Sequence, residues 1–154
     1  MKSKALIISI KSTKLTKKEE VLLSKEKPWG IILFKRNLKS VKQIKNLTSK
    51  IKFLTKNKKF PILIDEEGKN VSRLSDIIRH DISANYFGNL HKKNKNFCTK
   101  IYKHYIASTC NILKSLGINI NTIPVLDILR YNTNNIIGHR SFSNNKNTVK
   151  ELGK

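Results

Sequence analysis

The stretch Phe60-Pro61-Ile62-Leu63-Ile64-Asp65-Glu66-Glu67-Gly68, continuing to Val71, Ser72 and Arg73, decides how this chain is read. An apolar run stops abruptly at three carboxylates and a glycine. That is the pattern of a buried strand emptying into a polar loop. Proteins of the α/β class place their chemistry where such strands end, at the carboxyl edge of the sheet. The plain alternative is a strand followed by a solvated acidic turn, and spacing alone slightly favours that alternative.

The same alternation repeats on both sides. Ala5 to Ile10 reads as a first strand, and Thr16 with Glu19 forms a capping box that opens a short helix carrying Val21, Leu22 and Leu23. Pro28 stops that helix. Gly30 to Phe34 is a second buried strand ending at Lys35 and Arg36. Ser40 and Gln43 make a second capping box. Behind it, Val41, Ile44, Leu47, Ile51 and Leu54 fall on one helical stripe. Lys56, Lys58 and Lys59 follow, where positive charge suits the helix dipole. Residues 68–96 read as a long irregular region, either a functional loop or a lysine-rich surface insertion around His91 to Lys95. A longer helix then carries Cys98, Ile101, Tyr102, Tyr105, Ile112, Leu113 and Leu116 on one stripe, closed by Gly117. Ile118 to Leu126 reads as a fourth strand, and Thr148 with Glu151 as a third capping box.

Composition bounds the partners. The 154 residues are read as one domain, and they carry a net charge of +22. Such an excess suggests nucleic acid or an anionic surface. The detail argues otherwise. The arginines are Arg36, Arg73, Arg79, Arg130 and Arg140 alone, the remaining cations are lysines spread along the chain, and 7% of residues are aromatic. Base readout prefers the arginine fork, and single-strand binding needs stacking rings. A nucleic-acid partner is therefore disfavoured. No apolar run approaches the roughly 20 residues of a membrane span, so no membrane partner is expected. The short run after Lys2 and Lys4 lacks a cleavage site and reads as a strand rather than a leader. Cys98 and Cys110 fall in one predicted helix, about 18 Å apart, beyond disulfide reach. They are expected to be reduced, which suits a cytoplasmic chain. No residue pattern marks a metal site or a cofactor, and no glycine-rich phosphate loop follows the first strand.

Strand followed by helix, repeated, specifies a parallel sheet with helical crossovers. The expected fold is α/β: the N-terminal half of a TIM-type (β/α)₈ barrel, about four parallel strands at 5–10, 30–35, 61–66 and 118–126 with crossover helices. A complete barrel takes ~250 residues. Ile31, Leu33, Ile62 and Ile64 are expected to be less well covered than in a closed barrel, favouring association with a second chain or poor solubility.

Four stretches together resemble the N-terminal part of bacterial glycoside hydrolase family 3, in particular the cytoplasmic β-N-acetylhexosaminidases of cell-wall recycling. Pro28-Trp29-Gly30-Ile31-Ile32-Leu33-Phe34-Lys35-Arg36-Asn37 resembles the family's second strand and its Arg-Asn step. Asp65-Glu66-Glu67-Gly68, with Val71 and Arg73, resembles its Asp-Gln-Glu-Gly-Gly-Arg-Val-x-Arg motif. Pro124-Val125-Leu126-Asp127 resembles the ending of its fourth strand, and Ile137-Gly138-His139-Arg140-Ser141-Phe142 its Ile-Gly-acid-Arg-Ser-aromatic loop. The matches fall in order and span nearly all of the chain, so residues 1–154 read as the N-terminal domain of that family, truncated to the first half of its barrel.

The resemblance implies a glycosidase acting on or binding an amino-sugar or peptidoglycan-derived saccharide. It implies substrate-binding roles for Asp65, which would accept from sugar hydroxyls, and for Arg73 and Arg140, which would hold the sugar. A carboxylate accepts bidentately and a guanidinium offers a fixed fork, so the chemistry fits. A purely structural role for either arginine, paired with Glu67 or Asp127, stays open. The departures are Glu66 for the family glutamine, Lys69 and Asn70 for its second glycine and first arginine, His139 for an acid, and Ser9 for an aspartate. The family's Lys-His-Phe-Pro-Gly-His-Gly loop and its nucleophilic aspartate have no counterpart within these residues. None of His80, His91, His104 and His139 sits in a matching motif, so no catalytic residue is assigned. Three readings follow: a sugar-binding half completed by a second chain that supplies the rest of the barrel or cut from a split gene, a non-catalytic carbohydrate-binding or interaction protein in the sense of a decayed fragment, and, less favoured, a basic nucleic-acid-binding protein on an old scaffold.

Overall fold

A computed structural model describes residues 3–69, 71–79 and 81–154; the readings of Asn70 and His80 lie outside the described residues. The elements in chain order are β1 (Lys4–Ser9), α1 (Lys17–Lys25), β2 (Pro28–Leu33), α2 (Val41–Leu54), β3 (Ile62–Ile64), α3 (Ala84–Lys93), α4 (Lys95–Ser115), β4 (Ile120–Asn121) and α5 (Lys146–Leu152). The four strands form one sheet in the order β1-β2-β3-β4, every pair parallel. The expected architecture is present. The chain divides into two compact units, residues 1–65, 73–79 and 110–122, and residues 66–72, 80–109 and 123–154.

The first unit holds the sheet. Its register sets Ile31 opposite Ile62, Leu33 opposite Ile64, and Leu63 opposite Ile120. Parallel strands covered on both faces read as continuous apolar runs, and Ile62, Leu63 and Ile64 are all buried. The expected undercoverage of the inner strands is corrected here. Ile31, Leu33, Ile62 and Ile64 are each fully buried, packed with Ile44, Leu47 and Ile51 of α2 and with Leu113, Leu116 and Ile118. Among the described residues β1 is the edge strand that pairs with β2 alone. Its Leu6 and Ile7 are 55% and 49% exposed.

Two asparagines hold this unit together at the strand ends. Asn37 is fully buried; its amide donates to the Ile10 and Ser12 carbonyls, both at 3.0 Å, and its oxygen accepts from Phe34 N at 2.9 Å. Asn119 accepts from Ile62 N at 2.8 Å and donates to Phe60 O at 3.0 Å. A buried amide satisfied as fully as that of Asn37 rigidifies the segments that it joins; Asn119 is exposed and ties β3 to the start of β4 from the surface.

The caps follow the sequence with two changes. Thr16 and Glu19 form the expected box. Ser40 caps Gln43 N, but the Gln43 side chain accepts from Lys39 N and donates to Thr13 O instead of returning to Ser40. The last helix starts at Asn145, whose side chain accepts from Asn147 N and Thr148 N, so Thr148 lies inside α5 and is no cap.

The second unit has its own core, of Phe87, Cys98, Phe142, Val149 and Leu152 with Tyr102 and Tyr105 against it. The predicted irregular region 68–96 contains α3, capped by Ser83. Gly88, mid-helix, is required: a Cβ there would lie 1.7 Å from Phe142 O. The stripe read along α4 splits between the two cores, Tyr102 and Tyr105 serving the second unit, Leu113 and Leu116 the first. The division falls inside the helix, between Thr109 and Cys110. Both cysteines lie in α4 as free thiols.

The fourth strand is two residues long where nine were expected. The ladder extends only as far as Thr122 N, which donates to Ile64 O at 3.0 Å. Pro124 follows, and it has no N–H to offer a neighbouring strand.

Candidate functional site

Asp65 is the first residue beyond β3 and belongs to the first unit, as does Arg73. Arg73 Nη2 donates to Asp65 Oδ2 at 3.1 Å. The other oxygen, Oδ1, accepts from Thr122 Oγ1 at 2.6 Å. Arg73 also faces a ring, its Cζ lying 5.6 Å from the Phe34 centroid, while Arg36 Cζ lies 4.8 Å from the same ring. Each cation–ring contact adds modest attraction. The ion pair is partly exposed, 29% for the Arg73 side chain and 23% for Asp65.

Arg140 belongs to the second unit and meets a different carboxylate. Its Nε donates to Glu67 Oε2 at 2.7 Å and its Nη2 to Glu67 Oε1 at 2.8 Å. This is the two-pronged geometry that only arginine makes with a carboxylate. The structural partner foreseen for Arg140 is thus present in Glu67, whereas Arg73 is paired with Asp65. Glu67 is aimed by the turn at Gly68, where φ is +114° and a Cβ would sit 2.1 Å from Ile82 O. Glycine is the residue that tolerates such a turn.

Glu67 and Arg140 line a small cavity of about 30 Å³ together with Phe87, Tyr102, Tyr105 and Phe142. That volume is about the room of one water molecule. Burial pushes the Tyr102 phenol up to about 12, with Cys98 adding to it. Burial likewise pushes Tyr105 up to about 12, helped by the charge of Glu66 and by Tyr102. Both phenols are therefore neutral at physiological pH. His139 lies on the same cavity wall. No group of His, Cys, Asp and Glu side chains suited to a metal ion occurs among the described residues. None of their helices is long and apolar enough to cross a membrane.

Sequence reasoning reached Asp65, Arg73 and Arg140 but passed over Thr122 and Phe34. Both lie just beyond strand ends, Thr122 after β4 and Phe34 after β2, so the rule that singled out Asp65 could have singled them out as well.

A parallel sheet in the sequential order β1-β2-β3-β4 with helical crossovers is an α/β architecture of the kind from which barrels are built. The chain belongs to glycosyl hydrolase family 3: the model described as "Glycosyl hydrolase family 3 N terminal domain" matches residues 2–154. It is 30% identical to a β-hexosaminidase of Nitrosomonas eutropha over 96% of this chain and 42% of that protein. It is likewise 30% identical to a β-hexosaminidase of Neisseria gonorrhoeae, over 96% of this chain and 40% of that protein. The chain therefore spans about two fifths of the length of these relatives. Crystal structures of NagZ from Neisseria gonorrhoeae superpose with a TM-score of 0.88 for the native protein and 0.87 for its complex with N-trifluoroacetyl-D-glucosamine. Identity to both is 29%, over 98% of this chain and 44% of theirs.

Proposed function

We infer that this chain is the sugar-binding N-terminal part of a β-N-acetylhexosaminidase-like protein. It recognises an N-acetylglucosamine-containing fragment derived from peptidoglycan, in the cytoplasm, and does not turn it over alone. Asp65 accepts from sugar hydroxyls, and Arg73 and Arg140 hold the sugar. The observation that carries this reading is the state of Asp65: a strand-end carboxylate whose two oxygens each take one donor from the described residues. A carboxylate has about four acceptor sites, so each oxygen can still accept from one of two neighbouring hydroxyls. The curated relatives named β-hexosaminidase, and the solved NagZ complex with an N-acylglucosamine analogue, support the choice of an amino sugar.

Cleavage by a retaining route needs a nucleophile at the anomeric carbon and an acid on the leaving oxygen. Asp65 committed to ring hydroxyls is misplaced for the first role. Glu67 is committed to Arg140. The resemblance assigns neither group within residues 1–154. A second chain that supplies further strands is a compatible reading. It is favoured by β1, whose outer edge has no strand partner among the described residues and whose Leu6 and Ile7 are exposed, because open apolar edges recruit strands.

The test is titration of N-acetylglucosamine into the purified chain, with a chromogenic N-acetylglucosaminide assay alongside. Binding that Asp65→Ala abolishes, without turnover, is expected. Turnover well above background and lost in Asp65→Ala would overturn the assignment of roles.

A further inference from the structure

We propose that Thr122 is a positioning residue that holds the Asp65 carboxylate in its ligand-accepting orientation. This rests on the sugar-binding reading of Asp65. The hydroxyl has one proton and two acceptors in range, Asp65 Oδ1 at 2.6 Å and Ile64 O at 3.4 Å. The shorter contact has the length of a hydroxyl donating to an ionised oxygen. Moreover, the Ile64 carbonyl already accepts from Thr122 N at 3.0 Å. The proton therefore goes to Asp65.

Two groups compete to orient Asp65, and they differ in how firmly each is itself held. Arg73 reaches it at 3.1 Å from the end of a long side chain with several rotatable bonds, whereas Thr122, though exposed, carries its hydroxyl one bond from Cβ. Thr122 stands at the end of the sheet with its backbone tied by the ladder bond. Its β-branched side chain has little freedom at χ1. Its hydroxyl is thus placed by the fold rather than by its own conformational choice. With Thr122 on Oδ1 and Arg73 on Oδ2, rotation about Cβ–Cγ breaks both bonds, and each oxygen presents its remaining lone pair in a defined plane. When a ligand draws Arg73 away, Thr122 is the donor that keeps the plane. The first shell of a binding site needs such support, because small rotations of a carboxylate spoil a two-point contact.

The experiment compares wild type, Thr122→Ser, Thr122→Val and Thr122→Ala as full chains labelled at aspartate carboxyl carbons. Each is titrated with N-acetylglucosamine and followed by NMR. Thr122→Val keeps the branched shape and lacks the donor, so its affinity falls about tenfold; Thr122→Ser restores the donor and keeps wild-type affinity. Thr122→Ala is read like Thr122→Val, and it decides the matter if Val impairs folding. Wild-type affinity in either hydroxyl-free variant overturns the proposal, as does a serine variant that falls as far as the valine one. If wild type itself does not bind the sugar, the sugar reading fails, and the Asp65 carboxyl resonance judges Thr122 separately. A resonance displaced in the Val or Ala variant and restored in Ser supports the positioning role. One that stays at the wild-type position in the hydroxyl-free variants overturns it.

Discussion

Glu67 clasps the Arg140 guanidinium by two of its nitrogens, Nε and Nη2, at 2.7 and 2.8 Å. Only 12% of the Glu67 side chain and 25% of the Arg140 side chain meet solvent. Removing the carboxylate takes both of these bonds from a mostly buried guanidinium that shares its cavity with Phe87, Tyr102 and Phe142. Glu67→Ala is expected to cost about 2 kcal/mol, and Glu67→Gln less, since one acceptor survives. Urea unfolding measures both; an unchanged midpoint for Glu67→Ala would show that the pair does not stabilise the fold.

A helix interior ordinarily gains about 1 kcal/mol when glycine becomes alanine. At Gly88 the sign is expected to reverse. The added methyl would sit 1.7 Å from a backbone oxygen, Phe142 O, which cannot turn aside like a side-chain tip. Gly88→Ala should lower the melting temperature, whatever it does to the intrinsic helicity of α3. A melting temperature at or above wild type would contradict the close approach.

Asn37 is the buried latch between the end of β2 and the segment after β1, with three hydrogen bonds made by one side chain. Asn37→Ala takes the Asn37 partner from the Ser12 carbonyl and the Phe34 N–H, while the Ile10 carbonyl keeps its bond from Arg36 Nε, and should cost on the order of 2 kcal/mol. Asn37→Asp is expected to be worse at neutral pH, because it points carboxylate oxygen at the Ile10 and Ser12 carbonyls. Equal stability of the two variants would mean that the amide's donors are dispensable.

Alkali probes the second core. Tyr102 and Tyr105 are held up to about 12 by burial, from an ordinary value of 10.0. A raised phenol means that the folded state binds protons more tightly than the unfolded chain. The stability from these rings is present below pH 10.0 and lost as pH rises towards 12. Phenolate absorbance, followed with near-ultraviolet circular dichroism, should show the two rings ionising late and together with loss of structure. Their ionisation near the ordinary value in an intact fold would argue against their burial.

Acid acts at α1. Burial raises the Glu19 carboxyl, but hydrogen bonds from Thr16 and Lys11 outweigh it and leave the group below its ordinary 4.5. A lowered carboxyl contributes stability that is present above the unfolded value and lost as pH falls through the folded one. Helicity of α1 should therefore weaken below pH 4.5, and Glu19→Gln should flatten that response.

The features legible in the residues were local ones. Thr16 and Glu19 announce their helix because a capping box is made by groups three residues apart. Ile62 to Ile64 announces a buried strand because its apolar run ends abruptly at Asp65, and the family motifs around Asp65 and Arg140 are contiguous. What tertiary structure alone decided depends on groups far apart in the chain. Helix α3 is obscured by Gly88, Asn85 and Asn89, all weak helix formers, and it is held by packing against Phe142 and by the tie of His91 to Glu151. The last helix is capped by Asn145 rather than Thr148 because the Asn145 side chain accepts from Asn147 N and Thr148 N, one turn earlier than the sequence pattern marks. The choice of carboxylate for each arginine was also undecidable from spacing. Glu67 and Arg140 stand 73 positions apart, and Thr122 and Asp65 stand 57 apart. Only the fold brings such groups within 3 Å, and no periodicity in the chain encodes which donor meets which oxygen.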